Sequence, residues 1–244
     1  MRLIIIYKTL MNISKSRQNK FSALLFLLLF SVIPNGLILA QQRIGFGIHA
    51  DPGISWFSSD IKEIRNDGAR PGFNFGLTFN RYFTPNYSFS TGISLLSAGG
   101  RLVSKDTTKF VLANSNSTST IFPEKPVIYK IQYLVIPIGL KLQTNQIGYL
   151  TLFSDMGLDP KVVIGGKADI PPDISGENAI NELKMFNLSY HITAGIEYSL
   201  GGNTAMILGL NFDNNFLDIT KDNGDQLIDK VSHKILSLRL GINF

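Results

Sequence analysis

His49, His191 and His233 are the side chains in this 244-residue sequence best suited to acid–base chemistry, because imidazole changes charge near neutral pH. Only His191 has a hydroxyl two residues away, on Ser189. In an extended strand, positions i and i+2 share a face but stand roughly 7 Å apart. That is too far for the hydrogen bond joining a nucleophile to its base. A histidine in a polar interior without a positioned partner is expected to be a hydrogen-bonding filler, so no catalytic residue is assigned. The sequence has no cysteine, which excludes thiolate nucleophiles, disulfides and cysteine metal sites. The acidic segment KDNGDQLID at 221–229 suggests calcium but lacks the ligand spacing of an EF-hand loop. Asp222-Asn223-Gly224-Asp225 instead reads as tight-turn chemistry. Neither a metal nor a cofactor is expected. Gly45-Phe46-Gly47 lies on a strand face with no helix after it and is not a nucleotide fingerprint.

The elements that must position these residues are strands. In the last nine residues, Leu236, Leu238, Leu240, Ile242 and Phe244 fall on one side, and Ser237, Arg239, Gly241 and Asn243 on the other, as side chains alternate along a strand. Read this way, the chain has eight strands, at 44–58, 72–83, 87–104, 127–144, 148–164, 186–200, 204–219 and 231–244. The connections alternate. Long ones span 59–70, 105–126, 165–185 and 220–230, while Thr84-Pro85-Asn86, Asn145-Gln146-Ile147 and Gly201-Gly202-Asn203 are short and rich in turn formers. With both chain ends on one side, all long loops fall on the other.

The amino terminus points to export. Arg2, Lys8, Lys15, Arg17 and Lys20 precede the apolar run FSALLFLLLF at 21–30, followed by Pro34, Gly36 and Leu39-Ala40-Gln41. That order reads as a signal peptide over 1–40, cut before Gln41, with Met11 an alternative start. A transmembrane anchor is the competing reading, but it needs about 20 apolar residues and Pro34-Asn35-Gly36 interrupts too early. Without the leader, 18 basic residues balance 18 acidic ones over 41–244. The high net charge therefore belongs to the leader, and no nucleic-acid partner is implied.

Alternation does not separate a membrane barrel from a soluble, lipocalin-like one, but charge placement does. The four long loops hold 22 of the 36 charges beyond the leader, so the strands are charge-poor. On 186–200 one face reads Asn187, Ser189, His191, Thr193, Gly195, Glu197, Ser199, and the other is apolar. A water-facing surface would carry more Lys and Glu, whereas small polar groups suit a narrow lumen. Phe83, Tyr87, Tyr149, Phe186, Tyr198 and Phe244 sit near strand ends, where interface girdles lie. The expected fold is all-β, an eight-stranded antiparallel transmembrane up-and-down barrel over 41–244. Lys141, Asp155, Glu197 and Arg239, with Asp51 and Asp213, are expected to point inward as a structural charge network. By the same register, Leu238→Arg should be far worse than Arg239→Leu.

The stretch YLVIPIGLKLQTN at 133–145, continued by QIGYLTLF at 146–153 and DMGL at 155–158, resembles the strand-turn-strand hairpin of the PorT family of Bacteroidetes outer-membrane β-barrels. With the leader, the eight strands and a terminal aromatic residue, the resemblance covers nearly the whole chain. Val135 stands where family members often carry an acidic residue. The resemblance implies an outer-membrane location, outer-membrane lipid as surroundings, and a non-enzymatic part in type IX protein secretion or envelope organisation, alongside other secretion-system proteins. A lipid-modifying enzyme and a surface adhesin acting through the long loops are the competing classes, and no particular small-molecule ligand is indicated. In a bacterial exported chain the sequon Asn116-Ser117-Thr118 carries no weight. Pro137 lacks a ladder donor and is expected to mark a β-bulge.

Overall fold

The computed structural model describes residues 43–105, 107–111, 118–171, 174–221 and 230–244. The leader at 1–40 with its cut before Gln41, most of the sequon at 116–118 and most of the acidic segment at 221–229 lie outside the described residues. The elements in chain order are β1 (Ile44–Ser59), β2 (Ile64–Asn66), β3 (Arg70–Thr84), β4 (Tyr87–Ser104), β5 (Thr108–Val111), β6 (Thr118–Ile121), β7 (Pro126–Val135), β8 (Ile138–Gln143), β9 (Leu150–Ile170) and β10 (Ile174–Asn178). A single 3-10 turn at Ile180–Glu182 follows, then β11 (Phe186–Gly201), β12 (Thr204–Asn215) and β13 (Val231–Asn243).

Eight staves close into a ring: β1, β3, β4, the collinear pair β7 and β8, β9, β11, β12 and β13, each antiparallel to its neighbours. β13 pairs back onto β1 from Gly47↔Asn243 to Ser59↔Val231. The last residue completes the seam, since Phe244 and Phe46 exchange both backbone hydrogen bonds, at 2.8 and 2.9 Å. A closed ring leaves no unpaired edge, which is the condition for placing strands in lipid. In mild detergent the unheated barrel is therefore expected to run apart from the boiled sample on a gel. Co-migration of the two would mean that the ring does not hold.

The outward face is apolar across the middle of the ring, with Leu77, Leu140, Leu152 and Leu210 between 51% and 60% exposed. The six aromatic residues of the expected girdles are also exposed on this face. Inward positions are polar over the half nearest the short turns, where Asn80, Ser88, Ser90, Thr193 and Asn211 are buried. A surface this apolar is incompatible with water on all sides, which removes the soluble alternative.

Near the loop end the interior changes character. Phe57, Tyr129, Ile131, Tyr133, Val231 and Ile235 fill it from the staves, and Leu183 and Ile219 enter from the connections. Phe57 stacks edge-on against His233, 5.0 Å between centroids, and against Tyr129 at 5.9 Å. Gly100 makes this packing possible, because a Cβ there would lie 2.5 Å from the Phe57 ring. Ile219 reaches the plug because β12 ends at Asn215, four residues before the expected limit. At the other end, Gly201 and Gly202 take left-handed φ of 107° and 60° to turn β11 into β12, a conformation that glycine adopts without steric cost.

The expected bulge at Pro137 is not there. Val135 and Ile138 pair with Ser94 and Thr91 on β4 and with Lys161 and Leu158 on β9, so neither partner strand gains or loses a residue. Pro137 interrupts the ladder without shifting it, and its carbonyl accepts from Thr91 Oγ1 at 2.8 Å. The register shift lies on β9, where Gln132 pairs with Gly165 and Tyr133 with Val163, leaving Ile164 extra.

Candidate functional site

Among the described residues the lumen gathers chemically capable side chains, and they lie in layers along its axis. Nearest the turns, Lys141 of β8 contacts Glu197 of β11, which also accepts from Gln143 at 2.7 Å and Asn243 at 2.8 Å. The Lys141 ammonium stands 5.0 Å over the Phe153 ring. Next comes Asp51 of β1, held by Arg239 of β13 at 3.1 Å, His49 at 2.9 Å and Asn74 at 3.2 Å. Beside this lies His191, between two carboxylates of β9, with Nδ1 2.8 Å from Asp159 and Nε2 3.6 Å from Asp155.

The last polar layer centres on Lys161, whose ammonium donates to both oxygens of Asp213 at 2.7 Å and to Asn215 at 3.5 Å. Ser189 Oγ donates to the same Asp213 carboxylate at 2.9 Å. Beyond Lys161 the apolar plug begins. The four residues read from sequence as a network thus fall into separate contacts, Lys141 with Glu197, Asp155 with His191, and Arg239 with Asp51.

Sequence reasoning misses Asp159, Lys161 and Asn215, although the parity that turns Asp155 inward on β9 does the same for 159 and 161. All three are buried, and each charge in this stack meets an opposite or hydrogen-bonding group, as low-dielectric surroundings demand.

Chemically the stack is a set of ion pairs around a small void, with Asp51 Oδ1 and Asp155 Oδ1 buried and without a hydrogen-bond partner. A cavity of about 50 Å³ between the layers is lined by His49, Asp51, Asn74, Asp155, His191 and Arg239, among others. That suffices for a few waters, each of which needs roughly 10–15 Å³ of such free space. A second cavity of about 220 Å³ opens at the turn end, with Glu197 in its wall and Arg43, Asn86 and Asn145 around it. Ser189 and His191 do not meet, because the hydroxyl is taken by Asp213 and the imidazole by Asp159. His233 is fully buried among Phe57 and Tyr133, with the Tyr133 hydroxyl 3.5 Å from its Nδ1. Among the described residues, no group of three or more His, Asp or Glu side chains is placed to hold a metal ion. Val135 lines the inner cavity and is buried, so this position offers no carboxylate.

A closed antiparallel ring, polar inside and apolar outside, with short turns at one end and long loops at the other, defines a transmembrane β-barrel. The family described as "Outer membrane protein beta-barrel domain" matches residues 39–221, and the chain belongs to it; the protein resides in the outer membrane. No curated protein matches the chain. Among solved structures it is similar to Neisserial surface protein A, NspA, at 12% identity over 81% of this chain and 95% of that one, with a TM-score of 0.42. OprG of Pseudomonas aeruginosa is similar at 12% identity over 83% and 95%, with a TM-score of 0.42. Ail of Yersinia pestis in complex with the heparin analogue sucrose octasulfate is similar at 15% identity over 83% and 99%, with a TM-score of 0.38.

Proposed function

We propose that this barrel is a non-enzymatic outer-membrane component of protein export, of the type IX kind suggested by the PorT-like hairpin at 133–158, and that it acts through its loops and turns rather than its lumen. The observation that carries this reading is the interior: apolar side chains from Phe57 to Ile219 fill the loop end, and paired charges line the part below it. An interior filled by side chains offers neither a solute path nor an unoccupied base beside a nucleophile. Loops on a rigid scaffold then supply the contacts.

The test is deletion followed by localisation of surface-secreted cargo. Cargo is expected to accumulate in the periplasm, and His191→Ala should restore export as well as wild type does. Normal secretion in the deletion strain would remove the export reading. The complementing loop variant needs care, because trimming 165–185 would cut into β9 and remove Leu183 from the plug. Among the described residues, β5 and β6 pair with each other and with no stave of the barrel. Replacing 107–122 with a short Gly-Ser link should therefore impair export while leaving the barrel folded. Loss of cell attachment with intact export would favour the adhesin reading, and loss of a lipid modification in the His191→Ala strain would favour the enzyme.

A further inference from the structure

We propose that the outer face of the wall formed by β4, β7 and β9 binds phosphate groups of outer-leaflet lipid through Arg101, Lys130 and Lys167. These three staves run past the others at the loop end, and there their outward face turns from apolar to basic. Leu95 of β4 and Val162 and Ile164 of β9 are exposed and mark the last apolar rows. Beyond them come Ser97, Gln132 and Gly165 in one row, then Lys130 beside Lys167, then Arg101 level with Ile128 and Asp169.

Lys130 lies four residues past Leu134, about 10 Å along a tilted stave. That distance takes it out of the hydrocarbon core and into the headgroup zone, and a Lys or Arg side chain can reach back toward the boundary. By the rule that long loops face outward, the zone belongs to the outer leaflet.

The pairing within this patch is incomplete in a way that points to an anion. Lys130 and Lys167 stand directly opposite on neighbouring strands, an arrangement that repels when left uncompensated. Asp169 contacts Lys130, and among the described residues no carboxylate pairs with Lys167 or Arg101. Lys130, Lys167 and Arg101 outnumber Asp169, and a phosphate monoester would offset that excess, with acceptor oxygens for several N–H donors. Basic clusters at the membrane boundary are suited to anionic headgroups. A glycolipid with phosphate on its sugar headgroup presents that anion at this depth.

The full-length barrel, refolded into phosphatidylcholine vesicles with and without phosphorylated lipid A, tests this by its thermal unfolding midpoint. The wild-type midpoint should rise with lipid A and stay unchanged with the dephosphorylated lipid. The double variant Arg101→Gln/Lys167→Gln should lose at least half of the rise while keeping its midpoint in phosphatidylcholine alone. Lys167→Arg should keep the rise. Should the double variant fail to refold, Lys167→Gln alone carries the comparison. An undiminished rise in the variant that refolds, an equal rise with dephosphorylated lipid, or the same rise from inorganic phosphate in solution would each overturn the proposal. The last outcome would assign the patch to soluble phosphate instead.

Discussion

Asp213→Ala is expected to destabilise the barrel by about 3 kcal/mol, because it leaves the Lys161 ammonium buried without its main counter-charge. Lys161 is 1% exposed, and both of its short contacts are to Asp213. The neighbouring Asp159 carboxylate, Asn215 at 3.5 Å and the Tyr133 ring at 5.9 Å remain, which places the loss at the lower end of what breaking a buried pair costs. Replacing both partners, Lys161→Met with Asp213→Asn, should recover much of it, since removing a charge pair whole is often close to neutral. Urea unfolding in lipid vesicles measures both variants. A loss below about 1 kcal/mol for Asp213→Ala would mean that water reaches Lys161 and that the plug does not seal this layer.

The second large effect is at the lipid face. Leu238 is 39% exposed on the outer surface of β13, and a charge placed there meets hydrocarbon, so Leu238→Arg should cost about 2–4 kcal/mol. Arg239, one residue on, points inward to Asp51. The alternation alone makes Arg239→Leu mild. The structure narrows that gap, because Asp51 is 1% exposed and losing the guanidinium leaves it only His49 and Asn74. The order still holds, with Leu238→Arg the worse, as those two contacts stay on the carboxylate. Equal losses for the two variants in the same refolding assay would show the register to be displaced by one residue.

How far such reasoning reaches from sequence alone depends on contrast between the two faces of a strand. On β11 and β13 one face is apolar and the other polar, so the staves and their facing are legible from the residues themselves. β4 at 87–104 has the expected limits, and the others differ by a few residues. On β7 the contrast is reversed. Val127, Tyr129, Ile131, Tyr133 and Val135 turn inward while Ile128, Lys130, Gln132 and Leu134 face out, so a rule that turns the polar face toward the lumen misreads this stretch.

That is why the residues suggest a polar lumen along the whole axis and give no sign of the apolar plug. Leu183 and Ile219 come from connections, where strand parity says nothing, and only tertiary packing places them inside. β9 continues to Ile170, beyond the expected limit at 164, because β7 and β10 pair with its upper part. Pro137 misleads as a bulge signal for a related reason. A missing donor says that the ladder is interrupted, but only the register of both neighbours says whether a residue has been inserted.

A sealed interior is the central claim, and conductance tests it most directly. The purified barrel inserted into planar bilayers is expected to give a flat baseline under applied voltage, without discrete steps, because the plug and the paired charges leave no continuous aqueous path. Long-lived, ohmic current steps from the wild-type protein would contradict it, and would make the lumen rather than the loops the working part of the molecule.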